Sequence, residues 1–275
     1  FWGSKIVEDI SLDEVFSYIN NIALIKGQWQ VYKGKKSEAE YKIFLEENIY
    51  PELEALKLKV KSEKLLTPKL VYGYFPCQSE GNDLIIYKPT DCRNLDSVWK
   101  EVPLDISHLS EWIRFAFPRQ NADRHLCISD FFASKESGHI DVIALQLVTV
   151  GRAASEYSQQ LFSSNKYKDY LYFHGLSVET AEALAEYWHK KIRDELRISQ
   201  ADANDRKKLF GQGYQGSRYS FGYPACPDLT DQQKLFKILR PERIGVELTE
   251  EYHLVPEQST SAIIIHHPDA KYFTI

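Results

Sequence analysis

The residues best suited to binding chemistry lie in one short stretch, from Arg218 to Asp228. Its eleven residues include one Arg, one Gly, two Pro, two Tyr and one Cys, and they follow neither a helical nor a strand period. Pro224 and Pro227 each fix φ and remove a backbone donor, while Gly222 permits a backbone shape that is closed to other residues. The pattern predicts an ordered, stiff loop, and such loops often carry binding groups.

Arg218 opens this loop, and its guanidinium could pair in bidentate fashion with a carboxylate or a phosphate. The other interpretation is a rigid connector whose arginine makes an ion pair at the surface. The loop alone leaves both open.

A second group of polar residues falls in a predicted helix. Glu182, Glu186 and His189 share one helix face at i, i+4 and i+7. For Glu186 and His189 the pattern favours a solvated face. Glu182 is the more interesting candidate, because it flanks Ala181 and Ala185, whose small side chains leave room for a ligand.

Other motifs give little support to catalysis. Gly211–Gly216 matches the dinucleotide pattern G-x-G-x-x-G, but a charged segment precedes it and Pro224 prevents a long helix after it. No P-loop, nucleophile elbow or metalloprotease motif occurs. His266 and His267 alternate faces at a strand end, so a shared metal is not expected. Tyr272 and Phe273 could be core residues or a stacking platform for a base.

Composition limits the function classes. The chain has 275 residues, 27% charged and 43% hydrophobic, with a net charge of -5 and no basic run that could follow a phosphate backbone. Nucleic acid is therefore not an expected partner, and neither a membrane span nor a signal pattern is found.

Four scattered cysteines indicate no disulfide framework or zinc site and favour a cytoplasmic location. The lack of methionine and the start at Phe1 suggest a piece of a longer polypeptide, with a processed chain as the alternative.

Hydrophobic periodicity and turn signals predict the elements that must position these residues. The first predicted helix follows a capping box at Ser11 and ends near Asn20. The second is a long, charged helix from Glu38 to Lys64, which Pro51 opens or kinks. Two more are predicted from Glu179 to Leu196 and from Thr230 to Leu239. The predicted strands are a hairpin of Lys69–Pro76 and Asn82–Lys88, a second pair of apolar runs at Leu126–Ala133 and Ile140–Val150, and Glu247–Val255 with Ser261–His266.

Strand pairs of the hairpin type outnumber regular strand–helix alternation, and long helices stand between them. This favours an α+β fold with a mainly antiparallel sheet over a doubly wound one. No internal repeat or low-complexity linker is present, so residues 1–275 are expected to form a single domain.

Several motifs together resemble one known family. They are the loop from Gly216 to Asp228 with its Gly-Tyr-Pro-Ala-Cys-Pro run, His267-Pro-Asp-Ala-Lys-Tyr-Phe273, Asp130–Gly138 with Asp141, Ala181–His189, and the segments Glu63–Gly73 and Asp83–Tyr87. The chain resembles, over nearly its whole length, the C-terminal activation domain of cobalamin-dependent methionine synthase. The fold that this resemblance implies is a curved α+β domain with an antiparallel sheet.

The resemblance also implies a function. In that family the domain binds S-adenosylmethionine, and flavodoxin or a flavoprotein reductase supplies an electron to the inert cob(II)alamin of a partner domain. The methyl group of S-adenosylmethionine then traps the reduced cobalt as methylcobalamin. This domain of a methyltransferase would contain no catalytic residue, and alone it should bind its ligand without turnover.

Carried over by position, Arg218 resembles the arginine that holds the ligand carboxylate, and Glu182 the acid on the opposite helix. Tyr272 and Phe273 resemble the aromatic pair at the nucleoside end, and Tyr223 the tyrosine near the corrin. The proline-fixed loop, with Ala225, would offer backbone carbonyls to the positive sulfonium.

Three departures from the family pattern bear on binding. Asn20 stands where the family often has Asp, and Gln212 stands where it has an acid six residues before the arginine. The chain also stops soon after Tyr272. Because two negative charges are missing, one rival hypothesis is an interaction module that docks a cobalamin domain without binding the ligand. Another, an independent methyltransferase, lacks the glycine-rich strand-to-helix turn usual for that fold.

Overall fold

The computed structural model describes residues 1–89, 109–121 and 124–275. The strands are β1 (Gly3–Val7), β2 (Lys69–Glu80), β3 (Asp83–Tyr87), β4 (Glu111–Ala116), β5 (Asp141–Thr149), β6 (Ser217–Tyr219), β7 (Glu247–Leu248), β8 (Leu254–Val255) and β9 (Ser259–Ile265). The α-helices are α1 (Leu12–Phe16), α2 (Glu38–Phe44), α3 (Tyr50–Ser62), α4 (Arg152–Ser163), α5 (Tyr167–Glu195), α6 (Arg206–Phe210) and α7 (Gln232–Leu239). Two π-helical segments, Ala23–Gln28 and Leu45–Ile49, and short 3₁₀ turns join them.

One large sheet organises the molecule. Its strands follow the order β4-β3-β2-β5-β9-β6. The long strand β2 pairs along one edge with two strands: β1 with its first half and β3 with its second half. Every ladder in it is antiparallel. The predicted α+β class with a mainly antiparallel sheet is confirmed, and so is the β2–β3 hairpin.

Both faces of this sheet are buried, as the alternation along β5 shows. Val142, Ala144 and Val148 belong to one core cluster, while Ile143, Leu145 and Leu147 belong to the other. Successive strand residues point to opposite faces, so a nine-residue run with apolar residues at six positions, on both faces, predicts a strand covered on both sides. Helices α1 to α5 cover one face; α7, the 3₁₀ turns and the Arg218 loop cover the other.

The helical layer agrees with the sequence in its main features. The region predicted from Glu38 to Lys64 is α2, a π-helical segment and α3, with Pro51 in the first turn of α3. Helix α5 is longer than predicted, with 29 residues from Tyr167 to Glu195. Its first half lacks a clear apolar stripe, because the buried positions there include Gly175, Ser177 and Thr180.

Three sequence expectations fail for local reasons. Leu126–Ala133 contains a 3₁₀ turn instead of a strand, since the Asp130 carboxylate accepts a hydrogen bond from the Cys127 N–H at 2.8 Å and pairs with Arg119 at 2.7 Å. The stretch 247–255 is not one strand but the tiny β7–β8 hairpin, because the Thr249 hydroxyl accepts hydrogen bonds that close a turn.

The third failure concerns the start of the first helix. Ser11 is at its N-cap position but makes no side-chain capping bond, so the predicted capping box is absent. Helix α1 ends at Phe16, where the Ser17 hydroxyl donates to the Glu14 carbonyl at 2.6 Å. The following helical segment begins after Asn20, whose side chain accepts from the Ile22 N–H at 3.1 Å.

Three cysteines, Cys77, Cys127 and Cys226, are buried free thiols, and Cys92 lies outside the described residues. In the ranges that the structure covers, no helix is both long and apolar enough to cross a membrane.

We expect Gly73→Ala to loosen the first strand from the sheet. A Cβ at this position in β2 would overlap the carbonyl oxygen of Gly3 on the neighbouring β1. Overpacking of this kind costs about 1–3 kcal/mol, so thermal unfolding should occur at a lower temperature and the β1 amides should exchange faster with solvent. The matched control is Gly27→Ala, whose added methyl group meets no atom within 4 Å. Equal stability of the two variants would contradict the close approach of β1 and β2.

Candidate functional site

A cleft with three adjoining cavities lies between helix α5 and the loop that follows strand β6. The loop cavity, of about 160 Å³, is lined by Arg218, Tyr223, Ala225 and Tyr272. The acidic cavity, of about 260 Å³, is lined by three glutamates of α5 and again by Arg218. The outer cavity, of about 440 Å³, lies on the other side of Tyr223. Glu182 lines all three, so the cavities adjoin at this side chain.

Strand β6 determines where Arg218 points. It pairs with β9, with Arg218 opposite Ile264, and its neighbour Tyr219 turns into the core on the other face. Strand alternation therefore directs the arginine toward the helical face. There its guanidinium donates to Glu186 at 3.2 Å and lies 3.5 Å from Glu182.

The Arg218 side chain is only 18% exposed, so its charge depends on these partners. Burial by itself would lower the pKa of Arg218, but the carboxylates of Glu186 and Glu182 outweigh that effect and raise it. The guanidinium therefore stays charged at the floor of the cleft, and five N–H donors give it capacity beyond these two acids.

The stiff loop predicted from the sequence is present. The Gly222 N–H donates to the Cys226 carbonyl, and the Cys226 N–H to the Tyr223 carbonyl, both at 2.9 Å. Gly222 has φ +86°, and a Cβ there would lie 2.9 Å from Leu229, so glycine is required. Ala225 is 1% exposed, so it anchors the loop in the core and can reach a ligand through its backbone.

The aromatic candidates separate into two groups. Tyr223 is 57% exposed and Tyr272 is 46% exposed, and both line the loop cavity. Phe273, in contrast, is buried against Tyr219 and Phe131. Phe273 thus takes the alternative of a core residue, because its ring packs against Tyr219 and Phe131, whereas Tyr272 remains a candidate for stacking on a ligand.

Asn20 and Gln212, which stand where the family has acids, both have structural partners. The Asn20 side-chain oxygen accepts from the Ile22 and Ala23 N–H groups, so it caps the π-helix while lining the acidic cavity. Gln212 accepts through its side chain from the Tyr272 N–H at 3.3 Å. These side chains shape the cleft but add no negative charge to it.

Two interpretations of α5 are corrected. Glu186 is not on a solvated face: its side chain is 12% exposed and paired with Arg218. His189 is fully buried beneath the site, edge-on to Tyr214, and no hydrogen-bond partner is recorded for either ring nitrogen among the described residues. Helix α5 is covered here by the segment that leads into β6, which sequence periodicity could not reveal.

Sequence reasoning missed Glu179, the most enclosed acid of the cleft. It is 8% exposed, accepts a hydrogen bond from Gln28 and lines the acidic cavity with Glu182 and Glu186. Its spacing of i, i+3 and i+7 from those two acids was the available signal. Burial raises the pKa of Glu179 to about 7, and repulsion from Glu182 adds to this rise. The hydrogen bond from Gln28 acts in the opposite direction and lowers the pKa.

The remaining motifs add no second site. Gly211–Gly216 follows α6 and precedes β6, the reverse of the strand–glycine–helix order that a dinucleotide requires. His266 pairs with Asp141 at 2.7 Å. Within the described ranges, no three His, Cys, Asp or Glu side chains are grouped to hold a metal.

Fold and site together define an α+β domain with one antiparallel sheet and a charged cleft between a long helix and an edge strand. The family model described as "Vitamin B12 dependent methionine synthase, activation domain" matches residues 11–275. The chain therefore belongs to the family of cobalamin-dependent methionine synthase activation domains.

Individual relatives agree with this assignment. The chain is 40% identical to the methionine synthase of Mycobacterium tuberculosis and 38% identical to that of Mycobacterium leprae; each match covers 100% of this chain but 23% of the relative. The chain thus spans about a quarter of the length of these relatives. The crystal structure of the MetH reactivation domain bound to AdoHcy superimposes with a TM-score of 0.81 at 24% identity, covering 99% of this chain and 81% of that one. That likeness shows the shared fold.

The buried His189 predicts a loss of stability in mild acid. Burial first, then Arg193 and Arg218, hold its pKa well below the ordinary 6.5. The native state therefore resists protonation, and stability that is complete above about pH 6.5 should fall by about 1.4 kcal/mol per pH unit below it, until the folded pKa is reached. Denaturant unfolding of wild type and His189→Gln between pH 7.5 and 5.5 measures this.

We expect the Gln variant to lose less stability over that interval than the wild type. His139→Gln, at an exposed position, should follow the wild type. Parallel pH profiles for wild type and His189→Gln would show that His189 does not titrate differently in the two states.

Proposed function

We propose that this domain binds S-adenosylmethionine in the cleft between α5 and the Arg218 loop, and presents its methyl group to the cobalamin of a partner domain. The observation that carries the proposal is the placement of Arg218. This arginine lies at the floor of the cleft, held by Glu186 and Glu182, at the junction of the loop and acidic cavities. Family membership, and a relative of the same fold whose structure is named as bound to AdoHcy, support it.

The charges of the cleft suit the amino-acid end of this ligand. Its carboxylate matches the forked donors of Arg218. Its ammonium matches the carboxylate of Glu182, whose side chain is 46% exposed and lies 3.5 Å from Arg218. A zwitterionic head group would thus meet both signs of charge within one cleft.

The nucleoside end suits the loop cavity. The exposed ring of Tyr272 offers a flat apolar face to a purine. Backbone carbonyls of the rigid loop around Ala225 supply partial negative charge for the sulfonium. Because Pro224 and Gly222 already fix the loop, ordering it on binding costs little.

In this mechanism the chain contributes position rather than acid–base chemistry. The corrin cofactor of the partner domain supplies the nucleophile that takes the methyl group, so no general base is needed here. Arg218 and Glu182 hold the ligand at one end, and the loop fixes the sulfonium relative to the open side of the cleft, which shortens the search for the reactive geometry. Tyr223, more than half exposed beside that opening, is placed to meet the corrin.

The partners follow from the same proposal. The cobalamin-binding domain of a methionine synthase would cover the cleft during methyl transfer, and flavodoxin or a flavoprotein reductase would supply the electron. The enzyme as a whole would be a homocysteine methyltransferase, of which this domain maintains the cofactor.

A docking module without ligand binding is the second candidate, and the partners of Asn20 and Arg218 favour it. Asn20 already caps a helix, and Arg218 is already paired with two acids, so neither requires a ligand. Calorimetric titration with S-adenosylmethionine separates the two functions, because the docking module should give no heat of binding.

Arg218→Ala should weaken S-adenosylmethionine binding by well over tenfold. Loss of one member of a buried charged pair costs about 2–5 kcal/mol, and here Glu186 would be left with the more distant Arg193, at 4.0 Å. Arg218→Lys should restore only part of the affinity, since an ammonium cannot bind a carboxylate through two parallel donors. Arg240→Ala serves as the matched control, since this exposed arginine is paired with Glu242. Unchanged affinity in Arg218→Ala, with the fold intact by circular dichroism, would remove Arg218 from the site.

Tyr223→Phe should leave ligand affinity nearly unchanged but alter methyl transfer. The residue is more than half exposed, so its main contacts should come from the partner domain. Labelled S-adenosylmethionine, a cobalamin-loaded domain and a one-electron donor give the transfer rate, and calorimetry gives the affinity. Equal transfer by Tyr223→Ala and wild type would contradict this role. Methyl transfer by the isolated chain to another acceptor would favour an independent methyltransferase.

A further inference from the structure

Glu179 is the one glutamate of the acidic cavity for which no cation partner is recorded among the described side chains. Glu186 and Glu182 both contact the Arg218 guanidinium. The recorded partner of Glu179 is the neutral amide of Gln28, and the side chain is nine-tenths buried. Among the described side chains, no cation therefore compensates the charge of this carboxyl.

The surroundings of Glu179 contain more negative than positive charge. The titratable and charged groups that share the acidic cavity with it are Tyr18, Glu182, Glu186 and Arg218. Three carboxyl groups thus line the cavity with the Arg218 guanidinium, and Asn20 completes the wall without charge. A second guanidinium, that of Arg193, lies outside this lining, 4.0 Å from Glu186. Burial first, then Glu182, raises the pKa of Glu179 to about 7, so near neutral pH the carboxyl carries its proton about half of the time.

We propose that Glu179 shares with Glu182 the ammonium end of the ligand, and that it does so as a carboxylate, releasing its proton to solvent as the cation enters. This inference rests on the proposed function and deepens it. The exchange balances in charge, because one positive group replaces one proton beside the same carboxyl. The ionised Glu179 would also supply the cleft with a negative charge, at a position other than Asn20 and Gln212, which are both neutral.

The consequence is ligand binding that depends on pH. At pH 6 most of the Glu179 carboxyls are protonated and must ionise before the ammonium can bind well. At pH 7.5 most are already ionised. The affinity of wild type for S-adenosylmethionine should therefore rise about five- to tenfold over this interval relative to Glu179→Gln.

The test is calorimetric titration of wild type and Glu179→Gln with S-adenosylmethionine at pH 6.0, 6.75 and 7.5, each in two buffers of different ionisation enthalpy. The ligand's own amino group titrates near pH 8, so the measured quantity is the difference between the two proteins at each pH. Wild type should release about half a proton more per ligand near pH 7 than the variant. The Gln variant is isosteric and retains an amide to pair with Gln28, and its unfolding temperature verifies the fold.

Two further titrations identify the groups involved. S-adenosylhomocysteine has the ammonium but not the sulfonium, so it should show the same excess proton release; release seen with S-adenosylmethionine alone would overturn the assignment to the ammonium. Glu182→Gln removes the repulsion that raises the pKa of Glu179, so the linkage should move to lower pH. A linkage at unchanged pH in that variant would contradict the coupling of the two acids.

The outcomes distinguish this inference from the proposed function. Binding by wild type with no more proton release than Glu179→Gln would overturn the role of Glu179 and leave the ligand site standing. No binding by wild type at any pH would overturn both.

Discussion

The ion pair between Arg218 and the glutamates of α5 is the interaction on which the cleft depends. It joins the three-residue edge strand β6 to the 29-residue helix α5. A guanidinium with so little exposure requires close acids, since an unpaired buried charge is costly. The acids are fixed by a helix that packs along the sheet, and the arginine by a strand paired to β9. The cleft is consequently formed before any ligand arrives.

The sheet explains why this cleft is where it is. Both faces of the central strands are covered by apolar clusters, which leaves no place for a polar site over the middle of the sheet. The sheet ends at β6, and the chain beyond it forms a loop whose backbone conformation is fixed by proline and glycine residues. Polar side chains from α5 can therefore face the loop without disturbing the core. A rigid scaffold with binding groups on an ordered loop is a common arrangement for ligand sites.

A second layer of polar residues supports the cleft from below. Arg193 is fully buried and makes a bidentate pair with Asp202, while its guanidinium lies 4.0 Å from the centre of the Tyr214 ring. His189 stays neutral against the same ring. These groups hold the segment before β6 against α5, and so they determine the position of Arg218 without touching the cleft themselves.

The sequence by itself determined the fold class, the hairpin, the stiff loop and the arginine that opens it. These features follow from local rules: period-two apolar runs, proline and glycine in fixed positions, and a residue type with forked donors. The functional expectation came from the family likeness in the Gly-Tyr-Pro-Ala-Cys-Pro loop, because local patterns alone did not predict a particular ligand. The positions of Arg218, Glu182, Tyr223 and Tyr272 along one cleft agree with that expectation, although the part of each in ligand binding stays a prediction.

Only the tertiary structure decided which side chains face the cleft and which are covered. Helical spacing placed Glu186 and His189 on one polar face, but the chain leading into β6 covers that face and buries them. The same spacing could not single out Glu179, because its hydrogen-bond partner, Gln28, comes from a helical segment 151 residues earlier in the chain. Phe273 looked like a partner of Tyr272, yet its ring packs in the core against Phe131 and Tyr219. Burial and charge compensation depend on contacts between distant segments, and a local pattern contains no information about them.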